Sequence, residues 1–219
     1  MRFSIIAAML LLTAVPVGAQ SAWSNGLDSR INSAAEALRG EYGRVKIDNW
    51  LQYAPAAAYL VSGAFRNGGG EHGFAERLLV SATSYASMAI LVNGLKYTCC
   101  RLRPDGVTAN SFPSGHTATV FMGAEQIRLE YGGWAGAGAY ALATGVGLLR
   151  VYNGYHWFTD VLAGAAVGIV SANIAWRLLP AECKLLGISP KADKLPGASP
   201  RAELSLVPLG TGVMLALTF

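Results

Sequence analysis

Five apolar runs, separated by short polar segments, dominate the chain between residues 50 and 178. Charged residues are scarce in them, with Glu125 in the third run and Asp160 near the start of the fifth. Runs of this length that are rich in Ala, Gly, Leu and Val are typical of helices buried in protein or in lipid. The sequence therefore predicts an all-α helical bundle. The runs cover residues 50–65, 78–95, 117–127, 134–149 and 158–175.

The composition favours a bundle embedded in a membrane. Charged residues make up 14% of the chain and hydrophobic ones 53%, which is a low charge content for a soluble globule. The runs 78–95 and 158–175 reach the ~18–20 residues that span a bilayer, and the others fall just short. Small residues at 135–138 and 163–166 permit close helix packing. A soluble all-α enzyme with buried helices is the alternative.

The first nineteen residues resemble a secretory signal peptide. Arg2 precedes an apolar stretch over residues 5–17, and small residues ending at Ala19 form a cleavage site. An uncleaved first membrane helix is the alternative. Either version carries residues 20–49 across the membrane, so we expect a periplasmic N-terminal segment with a short amphipathic helix.

The distribution of basic residues predicts an orientation. If successive helices alternate in direction from a periplasmic start, the polar segments around residues 96–116 and 150–160 face the periplasm. Arg66, Arg77 and Arg128 then lie in connections on the inner side, in agreement with the positive-inside bias. We expect a multi-pass protein of the bacterial inner membrane, with a soluble periplasmic protein as the alternative.

Several classes of partner are disfavoured by the sequence. The net charge is +4, but the Lys and Arg residues are scattered singly, without the basic stripe of a nucleic-acid-binding protein. Cys99, Cys100 and Cys183 show no metal-ligand spacing and no even-numbered disulfide framework. We therefore expect no nucleic-acid partner, no metal site and no cofactor, and the oligomeric state stays open.

The first polar segment carries two candidate phosphate ligands. Lys96 closes the second run, and Arg103 follows it seven positions later, just before Pro104. The proline favours an extended approach that aims the guanidinium inward, so both cations can reach one anion. The alternative is a pair of interfacial anchors that extend toward lipid headgroups.

The second polar segment reads Pro113-Ser114-Gly115-His116 and directly precedes the third run. Its backbone amides are expected at a helix N-terminus, where the helix dipole and unpaired N–H groups favour an anion. The Ser114 hydroxyl adds a donor, and His116 is placed to give a proton to a leaving oxygen. A simple turn and helix cap is the alternative.

The third polar segment places Arg150 six residues before His156 and Asp160 four residues after it. Because residues four apart share one face of a helix, the Asp160 carboxylate is expected to accept the imidazole N–H and to fix its tautomer. The other ring nitrogen is then free to attack phosphorus. The remaining histidine, His72, is predicted to be a solvated loop residue.

Together, the patterns Lys96-x6-Arg103-Pro104, Pro113-Ser114-Gly115-His116 and Arg150-x5-His156-x3-Asp160 resemble the three signature motifs of the type 2 phosphatidic acid phosphatase and vanadium haloperoxidase superfamily. The resemblance covers about residues 50–178 and implies an all-α phosphatase domain that works without a metal. One departure is Leu149, where the family usually has serine or another small residue. The resemblance implies phosphate binding by Lys96, Arg103, Ser114, Gly115 and Arg150, a His156 nucleophile, a His116 general acid and an Asp160 that orients His156.

The resemblance to bacterial lipid phosphatases of this family implies a function. The expected reaction is hydrolysis of a phosphomonoester or pyrophosphate of a membrane lipid through a phosphohistidine. Phosphatidic acid, phosphatidylglycerol phosphate, undecaprenyl pyrophosphate and lipid A phosphate are the expected substrates. A soluble periplasmic acid phosphatase acting on small phosphate esters is the first alternative. A vanadate-dependent haloperoxidase and a non-catalytic membrane lipid-binding protein are the others.

The last part of the chain, residues 179–219, is expected to form a linker and a tail. Residues 179–203 shift in composition to Pro, Lys and Ser, as is typical of a linker. In residues 202–219 the apolar side chains partly alternate around a turn signal at 210–212. This pattern indicates a terminal β-hairpin.

Overall fold

The computed structural model describes residues 26–65 and 70–188, together with the backbone of two strands further on. Seven helices run through the first two ranges and confirm the predicted all-α class. Their bounds are α1 Leu27–Tyr42, α2 Asp48–Leu51, α3 Ala54–Ala64, α4 Phe74–Cys99, α5 Gly115–Tyr131, α6 Gly133–Tyr152 and α7 Phe158–Leu186. The proposed signal peptide lies outside the described residues.

The C-terminal strands form the hairpin that the alternating pattern indicates. Strand β1 (Glu203–Leu209) pairs antiparallel with β2 (Gly212–Thr218). In this register Glu203 lies opposite Thr218 and Leu209 lies opposite Gly212.

Helix α5 is the central element of the bundle, because it packs against α3, α4, α6 and α7. One hydrophobic cluster joins Ala118 and Met122 of α5 to Met88 of α4 and Val167 of α7. The burial of these apolar side chains supplies the main driving force for the packing of the helices. The position of α5 matters for the site, because its first turn carries the second predicted motif.

Small residues set the distance between α5 and α7. A Cβ atom on Gly164 would overlap the carbonyl oxygen of Ser114, and one on Gly168 would overlap that of Ala118. Only glycine fits this close backbone approach, as in other closely packed helix pairs. The approach lets the amide of Ser114 donate to the carbonyl oxygen of Asp160 at 3.0 Å, so the N-termini of the two helices meet.

Two helices among the described residues are long and apolar enough to cross a bilayer. They are α4 and α7, each with a mean hydropathy of 1.5 over its most apolar stretch. Only 28% of that stretch in α4 and 44% in α7 is buried within the protein. The other residues of these stretches are partly or fully exposed, among them Leu78 and Ile90 of α4 and Leu162 of α7, so part of the apolar surface of both helices faces outward.

The ends of two predicted segments differ from the sequence-based expectation. The run 50–65 is broken into α2 and the eleven-residue α3 at Gln52 and Tyr53, and α3 is too short to span a bilayer. Helix α7 continues to Leu186 before Gly187 ends it in the left-handed conformation. The expected linker therefore does not begin before Gly187.

His72 lies at the end of the bundle away from the three motifs, and the prediction of a solvated residue is wrong. Its Nδ1 is 2.9 Å from Glu130 Oε2, and its side chain is only 18% exposed. Arg77 donates to the other Glu130 oxygen at 2.9 Å and to the carbonyl oxygen of His72 at 2.9 Å. The ring also packs edge-on against Trp176. Tertiary contacts therefore remove this histidine from solvent.

Candidate active site

The loop between α4 and α5 folds back so that Lys96 and Arg103 approach the same residue. Lys96 Nζ donates to the carbonyl oxygen of Asn110 at 2.5 Å, and Arg103 Nε donates to its Oδ1 at 2.9 Å. The turn is closed by the amide of Arg103, which donates to the carbonyl oxygen of Thr108 at 2.9 Å. Asn110, which the sequence analysis did not single out, holds the two predicted phosphate ligands together.

Ser114 is the N-cap of α5. Its hydroxyl oxygen accepts from the amide of Thr117 at 3.4 Å and from the Thr117 hydroxyl at 2.9 Å, and its side chain is buried. The oxygen therefore acts first as a helix cap, and phosphate binding by Ser114 stays a prediction. Gly115 begins α5, and a Cβ atom there would meet only Val92 Cγ1, at 4.0 Å. The helix N-terminus is thus open on the side of Gly115.

The predicted hydrogen bond between His156 and Asp160 is not formed, and a backbone carbonyl takes its place. His156 Nδ1 lies 2.8 Å from the carbonyl oxygen of Ser111 and 3.8 Å from Asp160 Oδ2. Because a carbonyl can only accept, Nδ1 carries the proton and Nε2 is left with a free lone pair. One ring nitrogen is therefore left free, and its attack on phosphorus stays a prediction.

Asp160 does not hydrogen-bond to His156, but it holds the residues around the bond between His156 and Ser111 in place. Its carboxylate accepts from the Ser111 hydroxyl, from Arg101 at 2.7 Å and from the amide of Trp157 at 2.9 Å. A buried carboxylate with several donors is stabilised in its charged form. Asp160 therefore fixes both the residue that holds His156 and the first turn of α7.

Arg101 links this cluster to the outer helix α1. It donates to Asp28 Oδ2 at 2.6 Å, and Asp28 also accepts from the amide of Thr159 at 3.0 Å. Asp28 and Arg101 are both buried. The N-terminal segment is thus part of the site's support. Neither residue has a spacing in the sequence that indicates this role.

The other predicted residues meet at the short helix α2. Arg150 donates to Asp48 Oδ2 at 2.6 Å and to Asn49 Oδ1 at 3.3 Å, and His116 Nε2 lies 3.2 Å from the same Asn49 oxygen. Asp48 and Arg150 are buried. Nε of Arg150 has no hydrogen-bond partner among the described residues. Asp48 and Asn49 therefore hold the arginine and histidine of two separate motifs side by side.

Burial, together with the positive charges of the cluster, favours the neutral form of both histidines. Burial, followed by the positive charge of Arg150 and by His156, lowers the pKa of His116 to about 4. Burial also lowers the pKa of His156, although the Asp160 carboxylate opposes that shift. A neutral imidazole has the free lone pair that a nucleophile needs. Arg103 acts on His116, and Lys96 acts on His156, so all three cations surround the histidine pair.

These features define a helical bundle with a cation-lined site around two histidines. The sequence profile of the PAP2 superfamily matches residues 77–183, a range that contains every residue of the three motifs. The chain belongs to the PAP2 superfamily.

Two curated proteins are similar in sequence. The lipid A 1-phosphatase of Porphyromonas gingivalis is 38% identical over 165 residues, which cover 74% of this chain and 37% of that protein. A protein of Escherichia coli K12 with the provisional name undecaprenyl-diphosphatase YbjG is 34% identical over 73 residues, which cover 32% of this chain and 37% of that protein. The chain spans little more than a third of the length of either relative.

A solved structure shares the fold. It is the transmembrane PAP2-type phosphatidylglycerolphosphate phosphatase of Bacillus subtilis, with a TM-score of 0.57 and 23% sequence identity. The similarity covers 81% of this chain and 95% of that one. At this level of identity the comparison bears on the architecture of the bundle.

Proposed function

We propose that the protein is a phosphatase that hydrolyses a phosphomonoester or pyrophosphate of a membrane lipid through a phosphohistidine on His156, without a metal. The observation that carries this proposal is the bond from His156 Nδ1 to the Ser111 carbonyl, which leaves Nε2 as an unprotonated nucleophile in the field of Arg150 and Lys96. The relatives that are named as lipid phosphatases support the same class of substrate.

Phosphoryl transfer depends mainly on positioning and on neutralising oxygen charge. Lys96, Arg103 and Arg150 bind the nonbridging oxygens, together with the amide of Gly115 and the hydroxyl hydrogen of Ser114. His156 Nε2 attacks phosphorus while the bond to the leaving oxygen breaks, and His116 gives that oxygen a proton. Water then attacks the phosphohistidine with His116 as the base, which releases phosphate and restores His156.

The low pKa of His116 fits this cycle once substrate charge is considered. In the free site His116 is neutral above pH about 4, because of burial and of its cationic neighbours. A bound phosphate dianion offsets the charges of Arg150 and Arg103 and so raises the pKa of His116. The acid form is thus favoured when substrate is present, and His116 becomes neutral when it gives its proton to the leaving oxygen.

A membrane location agrees with the length and the apolar character of α4 and α7. The proposed site is the bacterial inner membrane, crossed several times, with the three motifs facing the periplasm after an N-terminal signal. The substrates proposed are phosphatidic acid, phosphatidylglycerol phosphate, undecaprenyl pyrophosphate and a lipid A phosphate. The 38% identity to a lipid A 1-phosphatase favours the last of these.

The test is phosphate release from these four lipids and from para-nitrophenyl phosphate by the purified protein in EDTA. His156→Ala is expected to abolish turnover, and His72→Gln, a histidine substitution at the other end of the bundle, is expected to retain it. Acid-labile phosphate on the wild-type protein after rapid quenching would identify the phosphohistidine. Lipid turnover that survives His156→Ala would overturn the mechanism.

Three further results would replace the proposal with one of the alternatives. Turnover of soluble esters alone, by a protein that is extracted without detergent, would indicate a periplasmic acid phosphatase. Halide oxidation that requires added vanadate would indicate a haloperoxidase. Lipid binding with no turnover of any ester would indicate a non-catalytic protein.

A further inference from the structure

Asn49 of the short helix α2 contacts two residues of the candidate site. Its Oδ1 lies 3.2 Å from His116 Nε2 and accepts from Arg150 at 3.3 Å. Asn49 belongs to none of the three motifs and lies outside the range that the PAP2 profile matches. It is also an exposed residue, so the packing of the bundle does not depend on it. These contacts therefore point to a role in the reaction.

Arg150 determines which end of the Asn49 amide faces His116. A guanidinium can only donate, so the atom that it contacts is the oxygen of the amide and not its NH2 group. The guanidinium is itself held by Asp48 Oδ2 at 2.6 Å, and both residues of that pair are buried. His116 Nε2 therefore faces an acceptor whose orientation is set by a buried ion pair.

This acceptor leaves the neutral ring of His116 with one arrangement of its proton. Because Asn49 Oδ1 accepts, Nε2 carries the hydrogen and Nδ1 keeps the lone pair. Nδ1 has no hydrogen-bond partner among the described residues. At His156 the arrangement is reversed, since its Nδ1 donates to the Ser111 carbonyl. The two histidines of the site are thus held in opposite tautomers, one by a side-chain oxygen and the other by a backbone oxygen.

We infer that Asn49 is a positioning residue for acid–base catalysis, which keeps a hydrogen on Nε2 of His116 so that Nδ1 is the nitrogen that exchanges a proton with the substrate. The inference rests on the proposed phosphatase function and deepens it. In the first step the leaving oxygen takes the proton of Nδ1, and the electron pair of the broken bond stays on Nδ1. In the second step that pair takes a proton from the attacking water, while Nε2 keeps its hydrogen.

A neutral amide suits this position in a cationic site. An imidazolium donates more strongly than an imidazole, so an acceptor at Nε2 stabilises the acid form of His116. The amide of Asn49 supplies that acceptor without a charge that would repel the phosphate. A carboxylate in its place would raise the pKa of His116. The groups that already act on the charge of His116 are Arg150, His156, Asp48 and Arg103.

The test compares two substitutions of Asn49. Asn49→Leu has a similar size but no acceptor, and Asn49→Asp keeps the acceptor and adds a charge. Both variants are expected to fold, because the residue is exposed. Asn93→Leu is the matched control, since Asn93 is also exposed and its amide donates to the carbonyl oxygen of Ala89 in its own helix at 2.8 Å.

Nitrogen-15 NMR of the purified protein, labelled at histidine and carrying no histidine tag, measures the tautomers directly. The sequence has three histidines, so His72→Gln and His156→Ala assign the signals. At neutral pH we expect hydrogen on Nε2 of His116 and on Nδ1 of His156. In Asn49→Leu the His116 signals should change to a mixture of the two tautomers, with His156 unchanged. Asn49→Asp and Asn93→Leu should keep the hydrogen on Nε2 of His116.

Kinetics on a lipid phosphate that the wild type hydrolyses test the consequence for catalysis. Asn49→Leu should lower kcat about tenfold, the effect of losing one hydrogen bond. KM should change less than about twofold, because Arg150 keeps its bond to Asp48. Asn49→Asp should restore most of kcat and move the fall in kcat/KM to higher pH, since a carboxylate beside His116 stabilises the imidazolium. Asn93→Leu should change neither constant by more than about twofold.

The outcomes separate this inference from the proposed function. Hydrogen on Nδ1 of wild-type His116, or a His116 tautomer that Asn49→Leu leaves unchanged, would overturn the role of Asn49 while turnover by the wild type still supports the phosphatase. Equal losses of kcat in Asn49→Leu and Asn49→Asp at every pH would indicate a merely structural role and overturn it as well. Absence of wild-type turnover on every phosphate ester would overturn the phosphatase and the proton transfer assigned to Nδ1.

Discussion

His156 donates its Nδ1–H to the carbonyl oxygen of Ser111, with 2.8 Å between the two atoms. A main-chain acceptor therefore sets the tautomer of the proposed nucleophile. The carboxylate of Asp160 acts on His156 indirectly, because it accepts the hydroxyl hydrogen of Ser111 and the amide hydrogen of Trp157. The two contacts divide the task, since the backbone orients the ring and the carboxylate orients the backbone.

This division predicts how Asp160→Asn should behave. The amide has one acceptor in place of two, so it cannot satisfy Arg101, Ser111 and Trp157 together. A small displacement of the Ser111 carbonyl then misaligns His156, and we expect kcat to fall by about 100-fold. KM should change little, because the phosphate ligands remain. Steady-state kinetics on a substrate that the wild type hydrolyses measures kcat and KM separately and so tests this expectation.

Ser111→Ala is the informative comparison for that variant. It removes the hydroxyl but keeps the carbonyl that accepts from His156, so we expect a loss of about tenfold or less. Near-ultraviolet circular dichroism should show that both variants are folded. A larger loss in Ser111→Ala than in Asp160→Asn would contradict the positioning role assigned to the carboxylate.

The pH dependence of turnover should show the low pKa of His116. Because burial and the charge of Arg150 lower this pKa to about 4, the acid form is lost at lower pH than for an ordinary histidine. The ratio kcat/KM reports the free enzyme, so it should fall as pH rises above about 4. A bound phosphate raises the pKa of His116, so the corresponding fall in kcat should lie at higher pH.

The measurement is a pair of pH profiles, corrected for the titration of the substrate phosphate by phosphorus NMR. Arg103→Gln, which removes one of the charges that lower the pKa of His116, should shift the kcat/KM limb to higher pH. If kcat and kcat/KM of the wild type fall at the same pH, the charge of the substrate does not control the protonation of His116.

The sequence predicted the bundle and the meeting of the three motifs, because both depend on local patterns. Apolar runs specify helices, and the alternating direction of those helices brings the ends that carry Lys96, His116 and His156 to one side. The close contact at Gly164 similarly follows from the stretch of small residues at 163–166. These features are encoded over short distances, so no tertiary knowledge is needed to recognise them.

The supporting residues were not predictable in the same way. Asp28 and Asp48 are isolated carboxylates in a polar segment, and nothing in their spacing indicates that they pair with Arg101 and Arg150. Their partners lie 73 and 102 positions away along the chain. The partner of His156 was misassigned for a related reason, since a backbone carbonyl leaves no trace in residue type.

The buried pair of Asp48 and Arg150 predicts a large effect on stability. Asp48→Asn leaves the Arg150 guanidinium buried without its counter-charge, and such changes typically cost about 3–5 kcal/mol in the free energy of unfolding. Because Arg150 then loses its fixed position, KM for phosphate esters should also rise. Chemical denaturation in detergent and steady-state kinetics give the two quantities.

Glu41→Gln is a suitable control, because Glu41 is exposed near the end of α1 and its charge change is the same. It should alter the unfolding free energy by less than about 0.5 kcal/mol. Equal stability of Asp48→Asn and Glu41→Gln would show that the ion pair contributes little beyond its desolvation cost.

The close approach of α5 and α7 predicts that two glycines respond differently to alanine. A Cβ atom at Gly164 would overlap the Ser114 carbonyl, and one at Gly168 would overlap the Ala118 carbonyl. Both substitutions force the helices apart, and we expect each to cost about 1–3 kcal/mol in unfolding free energy. Only Gly164 faces a residue of the three motifs across this contact, so Gly164→Ala should also lower kcat at temperatures where both variants are folded.

Gly138→Ala is the control for this pair, and kcat per folded molecule is the quantity to compare. A Cβ atom at Gly138 meets no atom within 4 Å, so this variant should be neutral or stabilising, since alanine favours a helix. Equal kcat in Gly164→Ala and Gly168→Ala would show that the phosphate site tolerates a displaced α7, and that its geometry is set by the loops alone.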